Sequence, residues 1–521
     1  MMRGQSANTY ATPGQATMGF DSLYSAVFLI LNGGSLLFLL AGVLLGMLFG
    51  VIPGLGSTTA LALLIPVTYT LSPLDAMYLA GGVMGAASFG GSITAILLNT
   101  PGTAPNAATV FDGYPMALQG RAGAAIGAAA SSSSLGGLLG LFTLLAFMPF
   151  ARQIVLSFGP SEFFLLAVLG LTAIAISVRG KLLRGLIAGL LGLMLAFVGA
   201  DVITGQLRYT AGFDYLWDGI PLVPTLTGLF AISQMIELSL KGGTVSGKDG
   251  PTMKVTGVWE GIVAPIKHWD VLLRGSLIGT LIGAVPGLGG TVAAFLSYSS
   301  TAQSDKDPDS YGKGNIRGVI APESANNAKD GGSLIPTVAF GIPGSAETAI
   351  FLAILVLHGM SPGPQILIEN EREIYGLIVA MTIACVLASI IGLLLTRWIV
   401  LITFINVRII VPIVVSVALT GVYVLEGRMA DVVLTMVMGL IGYIMIRFDY
   451  PRLTLVIALV LGETAERSYH MVSMISEGSA FGFMLGRPIS IVLILCIIGT
   501  FLLPLMRVSL ARRRKARAIN T

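Results

Sequence analysis

The stretch GVIPGLGSTTA (50–60) follows one of the most apolar parts of the chain and places a proline and two glycines where a helix should continue. Proline removes a backbone donor and clashes with the preceding turn, and glycine adopts conformations that other residues resist, so the helix should end or unwind here. Nearly the same break, GAVPGLGGTVA, recurs at residues 283–293. A break that occurs twice in this form indicates a repeated structural feature rather than an isolated loop.

The composition around these breaks is that of a membrane protein. Of the 521 residues, 55% are hydrophobic and 11% are charged, whereas about 25% of the residues in an ordinary soluble domain are charged. Apolar runs such as 35–52, 375–395 and 489–506 approach or reach the ~20 residues that cross a bilayer as a helix. We therefore predict an all-α polytopic membrane protein with about ten to twelve transmembrane helices.

Charge and cysteine content narrow the functional classes. Lys and Arg outnumber Asp and Glu by only 30 to 26, which does not suggest a nucleic-acid partner. Residues 1–20 carry Arg3 as their one certain positive charge and contain no apolar run, so we expect no cleavable signal peptide. Cys385 and Cys496 lie far apart inside apolar runs, which argues against a disulfide or a metal site.

The two halves of the chain echo one another. An ungapped alignment of Gly42–Thr58 with Gly275–Thr291 gives ten identities in seventeen positions. Farther along, GGSITAILLNTPGTA (90–104) is answered by GGSLIPTVAFGIPGSA (331–346). Two matches in the same order indicate an internal duplication, which is common in secondary transporters.

The flanking charges suggest how the repeats are oriented. The second repeat enters its first span behind Lys267 and Arg274, whereas the first has Asp21 and no nearby basic residue. By the positive-inside rule the two repeats then start on opposite faces of the membrane. We predict inverted repeats, with parallel repeats as the alternative.

Composition divides the chain into five parts. A polar N-terminal segment (1–19) precedes a first membrane repeat (20–240), and a Gly-rich polar stretch (241–270) is typical of an extramembrane connector. A second membrane repeat (271–508) leads to a basic tail (509–521) that the positive-inside rule places in the cytoplasm.

The depth of the PGLG breaks decides their role. A broken helix in hydrocarbon leaves backbone groups unpaired at several kcal/mol each unless protein, water or a ligand meets them. The alternative is a loop at the membrane surface, but the apolar sequence after each break is too short for an independent span, which favours re-entrant segments at the midplane. New helix N-termini there attract anions. The predicted substrate-binding residues are Gly54, Gly56, Ser57 and Thr58 in the first repeat and Gly287, Gly289 and Thr291 in the second.

A second pair of breaks lies in LLNTPGTAPNAATVFDGYP (97–115) and AFGIPGSAETAIFL (339–352). Their polar side chains can hydrogen-bond a carboxylate or coordinate a sodium ion through oxygen, and the alternative is ordinary helix capping. The predicted substrate-binding residues here are Asn99, Thr100, Pro101, Gly102 and Thr103, and Pro343, Gly344 and Ser345.

APESANNAKDGGSLIP (321–336) places several polar residues directly before an apolar run. Charged groups at bilayer depth are costly and usually functional. We predict substrate-binding roles for Asn326, Asn327 and Ser333 and an interfacial position for Lys329 and Asp330.

Glu347 follows the second of these breaks and is a candidate for ion or proton coupling. The first repeat has Pro105 at the corresponding position, so the acid has no counterpart there.

Signals for enzymatic chemistry are missing from the sequence. His268, His358 and His470 are widely separated and form no HExxH motif. GGTVSGKD (242–249) departs from a phosphate-binding loop because Asp249 replaces the serine or threonine. We predict a protein that is not an enzyme and has no cofactor.

Glycines four residues apart precede each PGLG motif, and these glycine ladders predict close helix packing: Gly42, Gly46 and Gly50, and Gly275, Gly279 and Gly283.

The glycine ladders that lead into PGLG, the block GGSITAILLNTPGTAPNAATVFDGYPMALQGRAG (90–123) and the block APESANNAKDGGSLIPTVAFGIPGSAETA (321–349) resemble the large membrane subunit of the tripartite tricarboxylate transporter family. The similarity runs from about residue 20 to about residue 505 and is specific in the two repeat blocks.

The resemblance implies a multi-pass permease of the bacterial inner membrane. Such a permease works with a small four-span membrane subunit and a periplasmic solute-binding protein. It takes up carboxylates, citrate being the eponymous case, and is driven by a gradient of Na⁺ or H⁺ rather than by ATP.

Two other functions fit part of the pattern. A passive channel or membrane scaffold is one, although the spans carry no rings of pore-lining charge. A permease of the tripartite ATP-independent type is the other. Such a permease also depends on a solute-binding protein but lacks these PGLG and NTPG motifs.

Overall fold

The computed structural model describes residues 24–28, 30, 34–177, 182–201, 203–241, 256–363, 365–402, 406–476 and 479–500. The predicted N-terminal segment, most of the connector and the basic tail lie outside these residues. The described part is helical apart from short turns and one antiparallel hairpin, in which β1 (Gly199–Ala200) pairs with β2 (Leu207–Arg208). The predicted all-α fold is confirmed.

The first half of the chain forms a series of closely spaced helices. A 3₁₀ turn (Ala104–Asn106) leads into α4, and α8 contains a π-helical turn (Thr227–Ile232). The helices are α1 (Ser35–Val51), α2 (Gly56–Thr68), α3 (Pro73–Leu98), α4 (Ala107–Leu118), α5 (Ala122–Leu156), α6 (Pro160–Ser177), α7 (Leu182–Ala196) and α8 (Leu222–Lys241).

The second half continues in the same manner, with another 3₁₀ turn at Pro308–Ser310. Its helices are α9 (Val258–Lys267), α10 (Trp269–Gly283), α11 (Gly289–Ser304), α12 (Arg317–Phe340), α13 (Ala346–Leu357), α14 (Ile366–Glu369), α15 (Glu371–Ile402), α16 (Val407–Glu426), α17 (Met429–Arg447), α18 (Arg452–Ile475), α19 (Ala480–Leu485) and α20 (Pro488–Thr500).

Many of these helices suit a bilayer. Within the described residues, six are long and apolar enough to cross a membrane by length and composition: α3, α8, α16, α17 and most of α5 and α15. Shorter apolar helices include α1, α2, α6, α7, α13 and α20. The polytopic architecture agrees with the apolar runs of the sequence.

The glycine ladders let helix backbones touch. A Cβ atom added to Gly46 on α1 would lie 2.6 Å from the Val83 carbonyl oxygen on α3. A Cβ atom added to Gly279 on α10 would lie 2.3 Å from the Ala325 carbonyl oxygen on α12. Close helix approach through small residues is how membrane helices associate without a hydrophobic driving force. The other ladder glycines that meet the facing helix in this way are Gly42, Gly50, Gly275 and Gly283.

The two PGLG breaks have the same backbone geometry. In the first, Gly54 and Gly56 have φ values of 88° and 62°, and α2 starts at Gly56. In the second, Gly287 and Gly289 have φ values of 85° and 67°, and α11 starts at Gly289. These left-handed conformations favour glycine, so the sequence match reflects a conformational requirement.

Each break is tied to the Pro-Gly turn of its own repeat. The Gly54 N–H donates to the Gly102 carbonyl at 3.2 Å, and the Gly287 N–H donates to the Gly344 carbonyl at 3.2 Å. The two sequence matches within each repeat are therefore one structural unit. The inverted orientation of the repeats stays a prediction.

The described end of the connector is more ordered than its composition suggests. Residues 258–267 form α9, which packs on α5 so closely that a Cβ atom at Gly261 would lie 2.1 Å from the Ala124 carbonyl oxygen. Its buried residues, Gly261, Ala264 and Pro265, share one face. Because glycine and proline are usual loop residues, the composition of this segment did not indicate a helix.

Candidate functional site

Residues from both PGLG breaks and both Pro-Gly turns line one cavity of about 790 Å³. The first residues of α2, α11 and α13 line it, as does the segment 101–105 that leads into α4. A helix N-terminus presents free N–H groups and the positive end of the helix dipole. Three such helix ends, together with the segment that leads into α4, favour an anionic ligand in this cavity.

These helix ends and the turn before α4 differ in how their N–H groups are satisfied. Neither α2, with Leu55 at its N-cap, nor α11, with Leu288, has a side-chain cap. The Ser345 hydroxyl accepts from the Thr348 N–H at 3.3 Å and caps α13. A capping box of Thr103 and Asn106 closes the turn before α4. The first-turn N–H groups of α2 and α11 are thus the ones open to a ligand. The hydroxyls of Thr103 and Ser345 instead act as ordinary helix caps, which was the alternative to a binding role for them.

The structure brings most of the predicted binding residues to this cavity. The residues in its wall are Gly54, Gly56, Ser57, Thr58, Pro101, Gly102, Thr103, Gly289, Thr291, Asn326 and Ser345, together with Glu347. The remaining predicted residues lie outside the wall: Asn99, Thr100, Gly287, Asn327, Ser333, Pro343 and Gly344.

Asn99 and Thr100 belong to the end of α3. Asn99 is the exposed C-cap residue with a left-handed φ of 54°, and its N–H donates to the Thr94 carbonyl. The Thr100 hydroxyl donates to the Leu98 carbonyl at 3.0 Å. Asparagine is a common residue at such a C-cap because it tolerates this conformation, so the local helix end explains both residues.

The predicted residues of the second repeat that lie outside the cavity wall pack around its Pro-Gly turn or on another face of α12. Gly344 lies against Ser333, where a Cβ atom would come 2.7 Å from the Ser333 Cα. The Ser333 hydroxyl donates to the Asp330 carbonyl at 3.1 Å. Asn327 is buried on another face of α12, beside Gly137 of α5. These positions support the cavity without lining it.

A buried charge cluster forms one side of the cavity. Lys329 Nζ lies 2.5 Å from Asp330 Oδ1 and 3.6 Å from Glu347 Oε2, and the Ser57 hydroxyl donates to Glu347 Oε1 at 3.0 Å. The Lys329 and Asp330 side chains are only 4% and 6% exposed. Because α12 is enclosed by α5, α10 and α11, both side chains lie inside the protein, and their predicted position at the membrane interface stays a prediction.

Asn326 is unpaired in the same wall. It is 2% exposed, and neither its Nδ2 nor its Oδ1 atom has a hydrogen-bond partner within the described residues. A Cβ atom at Gly290, in the first turn of α11, would lie 3.0 Å from Asn326 Oδ1 and from Lys329 Cε. Because an unpaired buried amide is costly, Asn326 is expected to meet a ligand beside the start of α11.

Arg452, at the start of α18, is a cavity residue that sequence reasoning missed. Its Nη1 donates to the Leu229 carbonyl at 2.9 Å and to the Ser233 hydroxyl at 2.8 Å. Its guanidinium carbon lies 5.3 Å from the centroid of the Phe230 ring, and no described carboxylate lies within 4.0 Å of the guanidinium nitrogens. The available signal was an arginine between Pro451 and an apolar run, which the positive-inside rule assigns to the membrane surface.

A possible metal site elsewhere is already occupied by a cation of the protein itself. Ligand atoms of Asp201, Glu466 and His470 lie within 4.8 Å of one another. Arg208 Nη1, however, lies 3.0 Å from Asp201 and 2.6 Å from Glu466. This cluster is an ion-pair network on the hairpin side of α18.

Comparison with known proteins gives one family and two relatives. The model of the tripartite tricarboxylate transporter TctA family matches residues 36–457. A protein of Agrobacterium vitis named "Uncharacterized 52.8 kDa protein in TAR-I ttuC' 3'region" is 34% identical over 469 residues, which are 90% of this chain and 91% of that protein. Another from the same organism, "Uncharacterized protein in TAR-II ttuC' 3'region", is 35% identical over 207 residues, 40% of this chain and 85% of that protein. No solved structure matches the chain.

Proposed function

The chain belongs to the tripartite tricarboxylate transporter TctA family, and we propose that it carries a citrate-like tricarboxylate or a related carboxylate across the membrane through the cavity described above. Membership identifies it as a membrane transport protein, the large subunit of a tripartite system. The substrate, the binding residues and the driving ion are the proposal.

The observation that carries this proposal is the pair of uncapped helix N-termini that face one cavity. The first turns of α2 and α11 have no side-chain cap, and the same wall holds two cationic side chains, Arg452 and Lys329, the latter shared with Asp330 and Glu347. Several separate sites of positive potential suit a substrate with more than one carboxylate. Charge-assisted hydrogen bonds of this kind are roughly twice as strong as neutral ones.

Glu347 gives the site a means of release. It lies 3.6 Å from Lys329 Nζ, so a substrate carboxylate and the Glu347 carboxylate would compete for the same cation. A substrate that binds Lys329 would displace Glu347, and the return of Glu347 would favour substrate release. Lys329 already compensates the charge of Glu347, which gives no added reason to assign ion or proton coupling to this residue. Its coupling role stays a prediction.

The family assignment also guides the proposed assembly. We propose that the chain works in the bacterial inner membrane with a small four-span subunit and a periplasmic solute-binding protein, and that its C-terminus is cytoplasmic. The uptake would be symport driven by a gradient of Na⁺ or H⁺. A passive channel or scaffold would show no such dependence.

Uptake by the reconstituted complex tests the proposal. Radiolabelled citrate and a series of other di- and tricarboxylates would be offered to proteoliposomes with a sodium gradient or a pH gradient imposed separately. We expect saturable accumulation of at least one carboxylate against its concentration gradient. Equilibration that neither gradient changes would indicate a passive channel and contradict the proposal.

A further inference from the structure

Glu323, on α12, is a carboxyl group fully enclosed by three other helices. It is 0% exposed. The Ser92 hydroxyl of α3 and the Ser133 hydroxyl of α5 donate to its Oε2 atom at 2.7 and 2.8 Å, and the Thr109 hydroxyl of α4 donates to its Oε1 atom. Both carboxyl oxygens are thus in direct contact with hydroxyl groups.

Glu323 has no positively charged partner among the residues that the structure describes. Among the described residues, no lysine, arginine or histidine nitrogen lies within 4.0 Å of it, whereas Glu347 has Lys329 and Glu162 has Arg487 at 2.7 Å. Its side-chain partners are the three hydroxyl groups and the Asn106 amide. The charged or titratable side chains on the helices packed around it are not among these partners: Asp75 and Tyr78 on α3, Asp112 and Tyr114 on α4, Asp270 and Arg274 on α10, Tyr298 on α11, Glu347 on α13, Glu369 on α14, and Arg317, Lys329 and Asp330 on α12 itself.

Hydrogen bonds connect Glu323 to the cavity. The Asn106 Nδ2 atom donates to the Ser92 hydroxyl at 2.9 Å, and that hydroxyl donates to Glu323. The Asn106 Oδ1 atom in turn accepts from the hydroxyl and the N–H of Thr103, which lines the cavity. A substrate that shifts Thr103, directly before the 3₁₀ turn that leads into α4, would therefore change the surroundings of Glu323.

We propose that Glu323 is the site that binds the coupling proton, an inference that rests on the proposed function. A lone carboxylate inside a membrane protein is costly and becomes much less so when it is neutralised. The direct contacts at both oxygens leave no room for a larger cation without rearrangement, and a proton needs none. Serine and threonine hydroxyls can donate or accept, so they can satisfy both the charged and the neutral acid. The step is the addition of one proton to a Glu323 oxygen from one side of the membrane and its release to the other.

Glu323→Gln, which mimics the neutral acid, should separate accumulation from exchange. A gradient of about one pH unit supports about tenfold accumulation per coupled proton. In proteoliposomes with the carboxylate that the wild-type complex accumulates, we expect that accumulation to disappear in Glu323→Gln while exchange of external for internal substrate continues. Glu162→Gln is the matched control, a fully buried acid that has its own cation, and it should keep the wild-type ratio of accumulation to exchange.

Infrared difference spectroscopy of the purified complex tests the same site without transport. We expect the carbonyl band of a protonated carboxylic acid that is lost as the pH rises, present in the wild type and in Glu162→Gln but absent in Glu323→Gln. The proposal is overturned if Glu323→Gln retains this band or accumulates substrate on a pH gradient. It is also overturned if only a sodium gradient drives the wild type, although carboxylate transport itself would then stand.

Discussion

The helices α3 and α12 carry matching segments of the two predicted repeats, and their side chains differ. Their sequences align through the shared Gly-Gly-Ser at 90–92 and 331–333. By this alignment Ser88 corresponds to Lys329, and glycines stand in α3 where α12 has Glu323 and Asn326. Beyond its first turn α3 has no charged residue, whereas α12 buries three.

The two predicted repeats thus have similar backbone breaks but different buried charges. The duplicated breaks supply matched helix N-termini with nearly equal φ values. Lys329 and Glu347 in the cavity wall belong to the second repeat, and the first repeat has Ser88 and Pro105 at the matching positions. A site of this kind can hold a substrate in one orientation, which a fully symmetric site could not do.

The strongest test of this asymmetry is the Lys329→Met variant, which removes the buried lysine of α12. Removing a charged hydrogen-bonding partner costs about 1.5–3 kcal/mol, so we expect substrate affinity to fall about 10- to 100-fold. Ser88→Ala, at the matching position of α3, should change the affinity much less. Binding of radiolabelled substrate to the purified complex measures both.

Lys329→Met alone leaves two buried acids without their cation, and breaking a buried pair costs about 3–5 kcal/mol of stability. The Lys329→Met/Asp330→Asn double variant avoids most of this cost and separates binding from folding. Wild-type affinity in the double variant would show that Lys329 does not contact the substrate.

Arg452 extends the comparison to the end of the second repeat. Arg452→Gln removes a charge from the cavity wall but keeps hydrogen-bonding capacity, so we expect about a tenfold loss of affinity. Lys241→Gln, which removes an exposed lysine on α8, serves as the control and should bind normally. Equal affinities of the two variants would remove Arg452 from the site.

Gly56 and Gly289, at the matching starts of α2 and α11, test whether the two PGLG breaks have the same backbone geometry. Gly56→Ala and Gly289→Ala each force alanine into a left-handed conformation, which costs roughly 1–2 kcal/mol. A Cβ atom at Gly289 meets no atom within 4 Å, whereas one at Gly56 lies 3.3 Å from Thr103 Cγ2. Both variants should melt at lower temperature, Gly56→Ala slightly more so. An unchanged melting temperature in either would contradict the matched geometry of the breaks.

The smallest effect is expected at Asn99. Because this residue ends α3 outside the cavity, Asn99→Ala should lower thermal stability slightly and leave uptake unchanged. Asn326→Ala, in the wall beside Lys329, should lower uptake at normal protein levels. Reduced uptake in Asn99→Ala with normal uptake in Asn326→Ala would reverse this assignment.

The sequence predicted the parts of the molecule that depend on local backbone chemistry. Proline and glycine in each PGLG motif were sufficient to place the ends of α1 and α10 and the starts of α2 and α11. The glycine ladders likewise predicted close helix packing. These features follow from residues that are adjacent or evenly spaced along the chain.

The sequence could not predict features that depend on which helices meet. Asn99 and Thr103 sit in one motif, yet the first caps a helix end and the second faces the cavity. Arg452 joins the site from a distant helix, and the enclosure of Lys329 depends on the helices around α12. Such contacts are set by tertiary packing, which a single sequence does not display.

The proposed substrate site can be observed in an experimental structure of the complex with a bound tricarboxylate. We expect the substrate between the first turns of α2 and α11, with one carboxylate on Lys329 Nζ and Glu347 displaced from it. A substrate bound outside the cavity, with Lys329 still beside Glu347, would show that the proposed site is wrong.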